Sequence, residues 1–149
     1  GNDLLKGENG NDSLSGQNGN DTLEGGAGDD TLRGAGVFNA PEPFSNYGFG
    51  EIDTFNGGAG KDTFVLGSFE AFYDSGEIEQ DDYGLIVDFS LEEDTIQLFG
   101  TASDYVLAAS PSNLPSETGI YLDREQNELI GIVQGDANLT LDSSNFTFV

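Results

Sequence analysis

A nine-residue period runs from Gly1 to Asp62. In frame the chain reads Gly7-Glu-Asn-Gly-Asn-Asp-Ser-Leu-Ser15, Gly16-Gln-Asn-Gly-Asn-Asp-Thr-Leu-Glu24 and Gly25-Gly-Ala-Gly-Asp-Asp-Thr-Leu-Arg33. Numbered from its first glycine, position 1 is Gly7, Gly16, Gly25, Gly34, Gly48 and Gly57, and position 4 is Gly1, Gly10, Gly19, Gly28 and Gly60. Position 6 is Asp3, Asp12, Asp21, Asp30, Asp53 and Asp62, and position 8 is Leu5, Leu14, Leu23, Leu32, Phe55 and Phe64. Each unit carries what a solenoid needs: glycines for a turn and one large apolar side chain for a core.

Positions 1–6 read as a turn, and positions 7–9 as a minimal strand with its central residue pointing inward. Two units make one coil, so turns two units apart stack on the same edge. That pairs Asp3 with Asp21 and Asp12 with Asp30; across the irregular stretch 34–47, counted as one unit plus five residues, it pairs Asp30 with Asp53. Two carboxylates about 4 Å apart repel by roughly 4 kcal/mol at an effective dielectric of 20. One buried leucine returns only about 1.5–3 kcal/mol. The stacked turns therefore need a cation between them. One such aspartate alone would be read as a turn-former; six in phase point to metal.

The composition narrows which cation. With no cysteine and no histidine, soft and imidazole-type sites are closed to the chain, and so is the commonest general base. Against 28 acidic residues stand four basic ones, a net charge of −24, which argues against nucleic acid or an anionic membrane as partner. Calcium fits a donor set of carboxylates and carbonyls with flexible geometry; magnesium prefers a tighter octahedron and keeps its waters. Sixteen of the 22 glycines lie in residues 1–67, most of them in phase, so the glycine content marks a repeat rather than disorder. The chain starts at position 4 of a unit without a methionine, which reads as a fragment with a further domain upstream.

On these residues the chain resembles the RTX, or haemolysin-type, calcium-binding repeat, Gly-Gly-x-Gly-x-Asp-x-U-x. The resemblance covers residues 1–67 and implies an all-β fold: a parallel β-roll (β-helix) with an inserted loop at 34–47, followed over 68–149 by a C-terminal β-strand capping region. It implies several calcium ions, about three to five by ligand count. Carbonyls of positions 1 and 3 with the Asp of one turn would face carbonyls of positions 2 and 4 with the Asp of the adjacent turn. Carried over, one site is Gly7, Asn9 and Asp12 with Gly26, Gly28 and Asp30; another is Gln17, Gly19 and Asp21 with Asp3; a third sets Gly25, Ala27 and Asp30 against Phe49, Glu51 and Asp53. Gly16, Asn18, Gly58, Gly60 and Asp62 complete the implied ligands. The sequence departs from the pattern at position 2, where Glu8, Gln17, Ala35 and Phe49 replace glycine and a positive φ would be strained. It departs again in 34–47, where Asn39 takes an aspartate's place and Pro41 and Pro43 oppose strand pairing.

Beyond the repeats, alternating apolar runs predict strands at Tyr83–Phe89, Thr95–Phe99, Tyr105–Ala108, Gly119–Leu122, Leu129–Val133, Leu139–Leu141 and Phe146–Val149, spaced as in an antiparallel sheet, with a hairpin loop at Asp123–Asn127. This region would cover the open apolar end of the last coil. By resemblance it would also carry an uncleaved type I secretion signal. Asp74, Asp81 and Asp82 are candidates for a further cation or a solvated loop; Asp88 and Asp94 read equally as ligands or turn-formers.

No catalytic constellation emerges. Gly58–Thr63 has the outline of a phosphate-binding loop but lacks its first glycine, with Phe55 there instead, and Asp62 replaces its Ser or Thr. Asp123–Glu128 begins like an EF-hand, but Glu128 stands where glycine is obligatory. The expectation is a non-enzymatic, secreted, extracellular calcium-binding module. It folds on calcium after passing a type I secretion channel and stabilises or exports an upstream domain; no membrane insertion is implied. The alternative is a calcium-stabilised adhesion or polysaccharide-binding module using Phe38, Phe44, Tyr47 and Phe49 as a glycan surface.

Overall fold

The computed structural model describes residues 1–36, 50–67, 72–73, 82–112, 117–135 and 138–149. Successive short strands alternate between two sheets. Strands β1 (Leu4–Asn9), β3 (Thr22–Ala27), β5 (Ile52–Ala59) and β7 (Tyr83–Phe89) stack in parallel on one side. Strands β2 (Ser13–Ser15), β4 (Thr31–Arg33), β6 (Thr63–Val65), β8 (Thr95–Leu98) and finally β12 (Phe146–Phe148) stack in parallel on the other. This is the β-roll, and position 8 builds its core. Leu5, Leu23, Phe55 and Ile86 are in register on the first sheet. Leu14, Leu32, Phe64, Ile96 and Phe146 are in register on the second. The two ladders meet edge to face at Phe55 and Phe64, whose ring centroids are 6.2 Å apart. Burial deepens along the roll: Leu5 and Leu14 are partly exposed, whereas Leu23, Leu32, Phe55 and Phe64 are fully buried.

The inserted stretch 34–47 leaves the register of the sheets untouched. Leu5 pairs with Leu23 across an ordinary coil, and Leu23 pairs with Phe55 across the longer one, so the strand register is the same on both sides of the stretch. The loop-closure penalty grows only logarithmically with length, whereas a slipped coil would misplace every inward side chain. A second long connection, between β6 and β7, preserves register in the same way: Thr63 pairs with Thr95 and Phe64 with Ile96.

The C-terminal region does two things. Its first part, β7 and β8, is a further coil of the same roll, so the parallel sheets run past residue 67. Its second part is antiparallel, as the strand spacing predicts: β9 (Tyr105–Ala109), β10 (Thr118–Leu122) and β11 (Glu128–Gly135) form a meander, with β10 and β11 joined around 123–127. Strand β11 then docks in parallel on β7 and extends the first sheet to seven strands. The antiparallel spacing does not carry over to β7, β8 and β12, which pair in parallel because coil crossovers, not hairpins, connect them. The expected strand at Leu139–Leu141 is absent; those residues approach a turn in which Ser143 N–H donates to Thr140 O at 3.0 Å, and Leu139 fills the core from irregular backbone.

Candidate metal centre

The aspartates form two files, one on each edge of the roll. On one edge Asp12, Asp30, Asp62 and Asp94 follow one another; on the other, Asp3, Asp21 and Asp53. One rule builds both files: Oδ1 of each aspartate accepts the backbone N–H of the aspartate one coil earlier. The distances are 2.8 Å for Asp3 to Asp21, Asp12 to Asp30 and Asp21 to Asp53, 2.9 Å for Asp30 to Asp62 and 3.0 Å for Asp62 to Asp94. The predicted pairs Asp3–Asp21 and Asp12–Asp30 are therefore adjacent. The pair Asp30–Asp53 is not: Asp53 lies above Asp21, and Asp30 below Asp62. Counting 34–47 as a unit shifts the phase by half a coil; the observed register counts no unit there.

The second oxygen of each carboxylate turns toward the position 1 glycine of its own turn. A Cβ on Gly7 would lie 2.7 Å from Asp12 Oδ2, and one on Gly16, Gly25, Gly34 or Gly57 would meet Oδ2 of Asp21, Asp30, Asp53 or Asp62 more closely still. Position 1 is glycine because the carboxylate occupies the side-chain space. Positions 2 and 4 have a different reason, a positive φ, as at Gly26 (112°) and Gly28 (134°). Glu8 and Gln17 adopt the same region at 71° and 76°, so the strain expected at position 2 is present in the first two turns.

Carbonyls line the gaps between stacked turns. Those of Glu8 and Gly10 point up at Gly26 and Gly28, and those of Gly26 and Gly28 point up at Gly58 and Gly60. From above, Gly25 O points down at Gly7, and Ala27 O accepts Gly10 N–H at 2.8 Å. Between the turns of Asp12 and Asp30, the facing set is thus Glu8, Gly10, Gly25 and Ala27. The split into odd and even positions is as the resemblance implies, but its direction is reversed: the earlier turn presents positions 2 and 4. Gly26 and Gly28 belong instead to the next gap, with Gly57, Ala59 and Asp62. By the same direction Gln17 and Gly19 face the turn of Asp53 rather than Asp3. Gly34 O accepts Gln17 N–H at 2.7 Å, and Glu51 Oε1 accepts Gly19 N–H at 2.8 Å. Gly25, Ala27 and Asp30 do not meet Glu51 and Asp53, which lie on the other edge. Asn9 is in register with Ala27, and Asn18 accompanies Gly16 and Gln17 around the turn below Asp53. Phe49, Asp74 and Asp81 lie outside the described residues, as do Phe38, Asn39, Pro41, Pro43, Phe44 and Tyr47.

A second side-chain ladder, at position 5, was not legible as a site. Asn11 Oδ1 accepts Asp29 N–H and Asp29 Oδ1 accepts Lys61 N–H, both at 3.0 Å; Asn2 Oδ1 serves Asn20 N–H at 3.1 Å. These side chains reach up while the position 6 aspartates reach down. The recurring Asn-Asp dipeptide was the available signal.

Burial sets the electrostatics. Asp21, Asp30, Asp53 and Asp62 are almost wholly withdrawn from solvent. Desolvation pushes Asp53 and Asp62 up to about 6, against the hydrogen bonds that favour their charged forms, and raises Asp21 and Asp94 in the same direction. Oδ2 of Asp12, Asp21 and Asp30 is buried without a hydrogen-bond partner. A buried carboxylate oxygen with no donor is costly, and three at equivalent places in neighbouring turns fit a cation. Among the described residues no three acidic side chains converge, so a cation in these gaps would be held by paired carboxylates with the facing carbonyls, a donor set that suits calcium.

The C-terminal carboxylates differ. Asp88 accepts Gly57 N–H and Gly58 N–H at 2.9 and 2.8 Å; Asp94 accepts Ser90 N–H at 2.8 Å besides Asp62 N–H. Asp94 thus closes its own turn through Ser90 N–H while keeping the cross-coil bond of the repeat aspartates, whereas Asp88 reaches back to the coil before it. Asp82, buried, accepts Gly50 N–H at 3.2 Å.

The family model of the RTX calcium-binding nonapeptide repeat, in four copies, matches residues 1–32 and 47–69, the stretches that build these turns. Among solved structures, the chain resembles the solution structure of the AlgE6R3 subunit from the Azotobacter vinelandii mannuronan C5-epimerase, with 22% identity, a TM-score of 0.28 and coverage of 99% of this chain and 80% of that one. Curated proteins give no match. Residues 1–32 and 47–69 thus match the RTX calcium-binding nonapeptide repeat, and these stretches build the first coils of the β-roll.

Proposed function

We propose that this chain is a calcium-dependent folding module of a secreted protein: loosely structured where calcium is scarce, it folds once exported and stabilises an upstream domain. The chain itself performs no catalysis in this reading. One observation carries it, the buried and unpartnered second oxygens of Asp12, Asp21 and Asp30. Calcium, when bound, supplies the positive charge these oxygens need. Asp12, Asp21, Asp30 and Asp62 would hold it with the carbonyls facing the same gaps. The chain's own contribution is to bring like charges into one file, where they oppose folding until a cation arrives, so that binding free energy becomes folding free energy. Export through a type I channel in the unfolded state, and an extracellular location where calcium is plentiful, follow from that coupling.

The test is circular dichroism in EGTA, in calcium and in magnesium at equal ionic strength. The full β-sheet spectrum is expected only with calcium, with a fraction of it remaining in EGTA and in magnesium. The full spectrum already present in EGTA would refute calcium-dependent folding. Export is tested separately, by expressing the chain behind a reporter in a host with a type I channel; a reporter retained inside despite good expression counts against that part.

A further inference from the structure

On the edge of Asp3, Asp21 and Asp53, the last aspartate is treated differently from the others. Asp53 is fully buried, like Asp21, and its Oδ1 makes the same ladder bond. Its Oδ2, the atom left without a donor on Asp12, Asp21 and Asp30, accepts a hydrogen bond from the Tyr73 hydroxyl at 2.6 Å. Tyr73 is not part of any repeat. It arrives from the long connection between β6 and β7, wholly buried, and its backbone is in the left-handed region at φ 60°. A non-glycine residue held there needs surrounding structure to keep it, and the neighbours supply it. Phe72 N–H donates to Leu66 O at 2.9 Å, and the Arg33 guanidinium lies 5.4 Å from the centre of the Phe72 ring. A Cβ on Gly34 would lie 2.5 Å from the Tyr73 hydroxyl, so position 1 glycine here makes room for a phenol as well as a carboxylate.

The other edge ends by similar means. Just before β12, Asn145 donates its Nδ2 hydrogens to Leu91 O at 3.0 Å and Asp94 O at 2.9 Å. There an uncharged amide serves carbonyls above the last aspartate of the file. Both files thus finish with a neutral donor.

We propose that the Tyr73 hydroxyl is a cation surrogate: it occupies the second oxygen of Asp53 in place of calcium and ends the calcium ladder on its edge. The inference rests on the calcium-binding reading of the repeats. A hydroxyl gives one hydrogen bond where calcium would give charge and further coordination. The exchange makes this level of the roll independent of calcium while leaving the turns below it calcium-dependent.

The test uses the 149-residue chain. The first measurement needs no substitution: in calcium-saturated wild-type protein, the Tyr73 hydroxyl proton is observed by NMR, assigned by its absence in Tyr73→Phe. The proposal requires a slowly exchanging, downfield-shifted proton that persists at saturation; its loss as calcium is added means that the metal takes Asp53 Oδ2, and overturns the surrogate. The second is calcium stoichiometry by native mass spectrometry. Tyr73→Gly relieves the positive φ and removes the phenol, so it should bind one calcium more than wild type, whereas Tyr73→Phe, which retains the ring, should match wild type. Equal or fewer ions in Tyr73→Gly would refute the proposal. A wild-type chain that binds no calcium at all would instead refute the reading of the repeats, so the two failures are distinguishable.

Discussion

Asp30 and Asp94 lie on either side of Asp62 in the same file, and they resolve the same problem in opposite ways. Both are buried, and each is tied to Asp62 by a ladder hydrogen bond. Asp30 leaves its second oxygen without a donor, whereas the second oxygen of Asp94 accepts a hydrogen bond from Ser90 N–H, four residues earlier. The repeat turns wait for an external charge; the turn at 90–94 closes on itself. The contrast extends beyond one pair. Asp12, Asp21 and Asp30 are open, whereas Asp53, Asp88 and Asp94 are closed by Tyr73 or by backbone N–H groups. Acidity alone does not separate the regions. Residues 68–149 hold 17 acids and one base, more than the 11 acids and three bases of 1–67, yet among the described residues the recurring open position 6 carboxylates, Asp12, Asp21 and Asp30, lie in the latter. What makes a calcium site here is an oxygen that the chain leaves unserved, not the density of charge.

Chelation should break this comparison most visibly. In EGTA, amide protection should collapse in β3 and β4, between open turns, and be retained longest in β7, β10 and β11. Hydrogen exchange followed by peptide mass spectrometry reads both regions in one sample. Uniform loss across the chain would show that the closed turns have no stability of their own.

Substitution within the file should sharpen it. Asp30→Asn keeps an oxygen for Asp12 N–H but removes the charge, and should weaken calcium affinity by roughly tenfold or more, about 1.4 kcal/mol or above. Asp94→Asn should leave calcium affinity nearly unchanged and cost about 1.5 kcal/mol with or without calcium, the value of a hydrogen bond to a charged group. Calorimetric titration and denaturant melts of the two variants separate these outcomes.

Much of this was legible in the nonapeptide. Its period gives the two sheets, position 8 the core and position 6 the candidate ligands, because each rests on a local rule repeated many times. The failures came where the rule met an exception. The 34–47 stretch looks like a damaged unit, since Gly34 and Asn39 fall at repeat positions, and that appearance misplaced Asp53 by half a coil. The direction of the carbonyls depends on which edge of a parallel strand each residue presents, which no residue type encodes. Tyr73 could not be found at all: its partner Asp53 is distant in sequence, and nothing near Tyr73 repeats.

The pH response should change sign with calcium. In the folded, metal-free roll, burial holds Asp53 and Asp62 at about 6, above the ordinary carboxylate value of 3.8. Folding then takes up protons between these values. Stability should therefore be highest near pH 4 and fall as the pH rises to about 6, with Asp21 and Asp94 adding in the same direction. In saturating calcium the ionised forms of Asp21 and Asp62 are the binding forms, and acidification should release the ion and lower the melting temperature over the same window. Thermal melts from about pH 4 to 7, with EGTA and with calcium, should give slopes of opposite sign. Parallel slopes would mean that calcium does not reach Asp21 and Asp62.

The smallest effect tests whether position 2 matters through its backbone or its side chain. Gln17 adopts a φ of 76°, a region where Gly26 and Gly58 are unstrained. Gln17→Gly should therefore relieve strain of about 1 kcal/mol, offset in part by the larger entropy of the unfolded glycine, for a net gain of a few tenths in the presence of calcium. Gly16→Ala, one residue earlier, should do the reverse, because its Cβ would enter the space of the Asp21 carboxylate. Overpacking of that kind costs about 1–3 kcal/mol, and here it presses on the oxygen that calcium would use. Calcium titration of the pair then asks the sharper question: Gly16→Ala should lose affinity, and Gln17→Gly should not, although the two positions are adjacent in the same open turn.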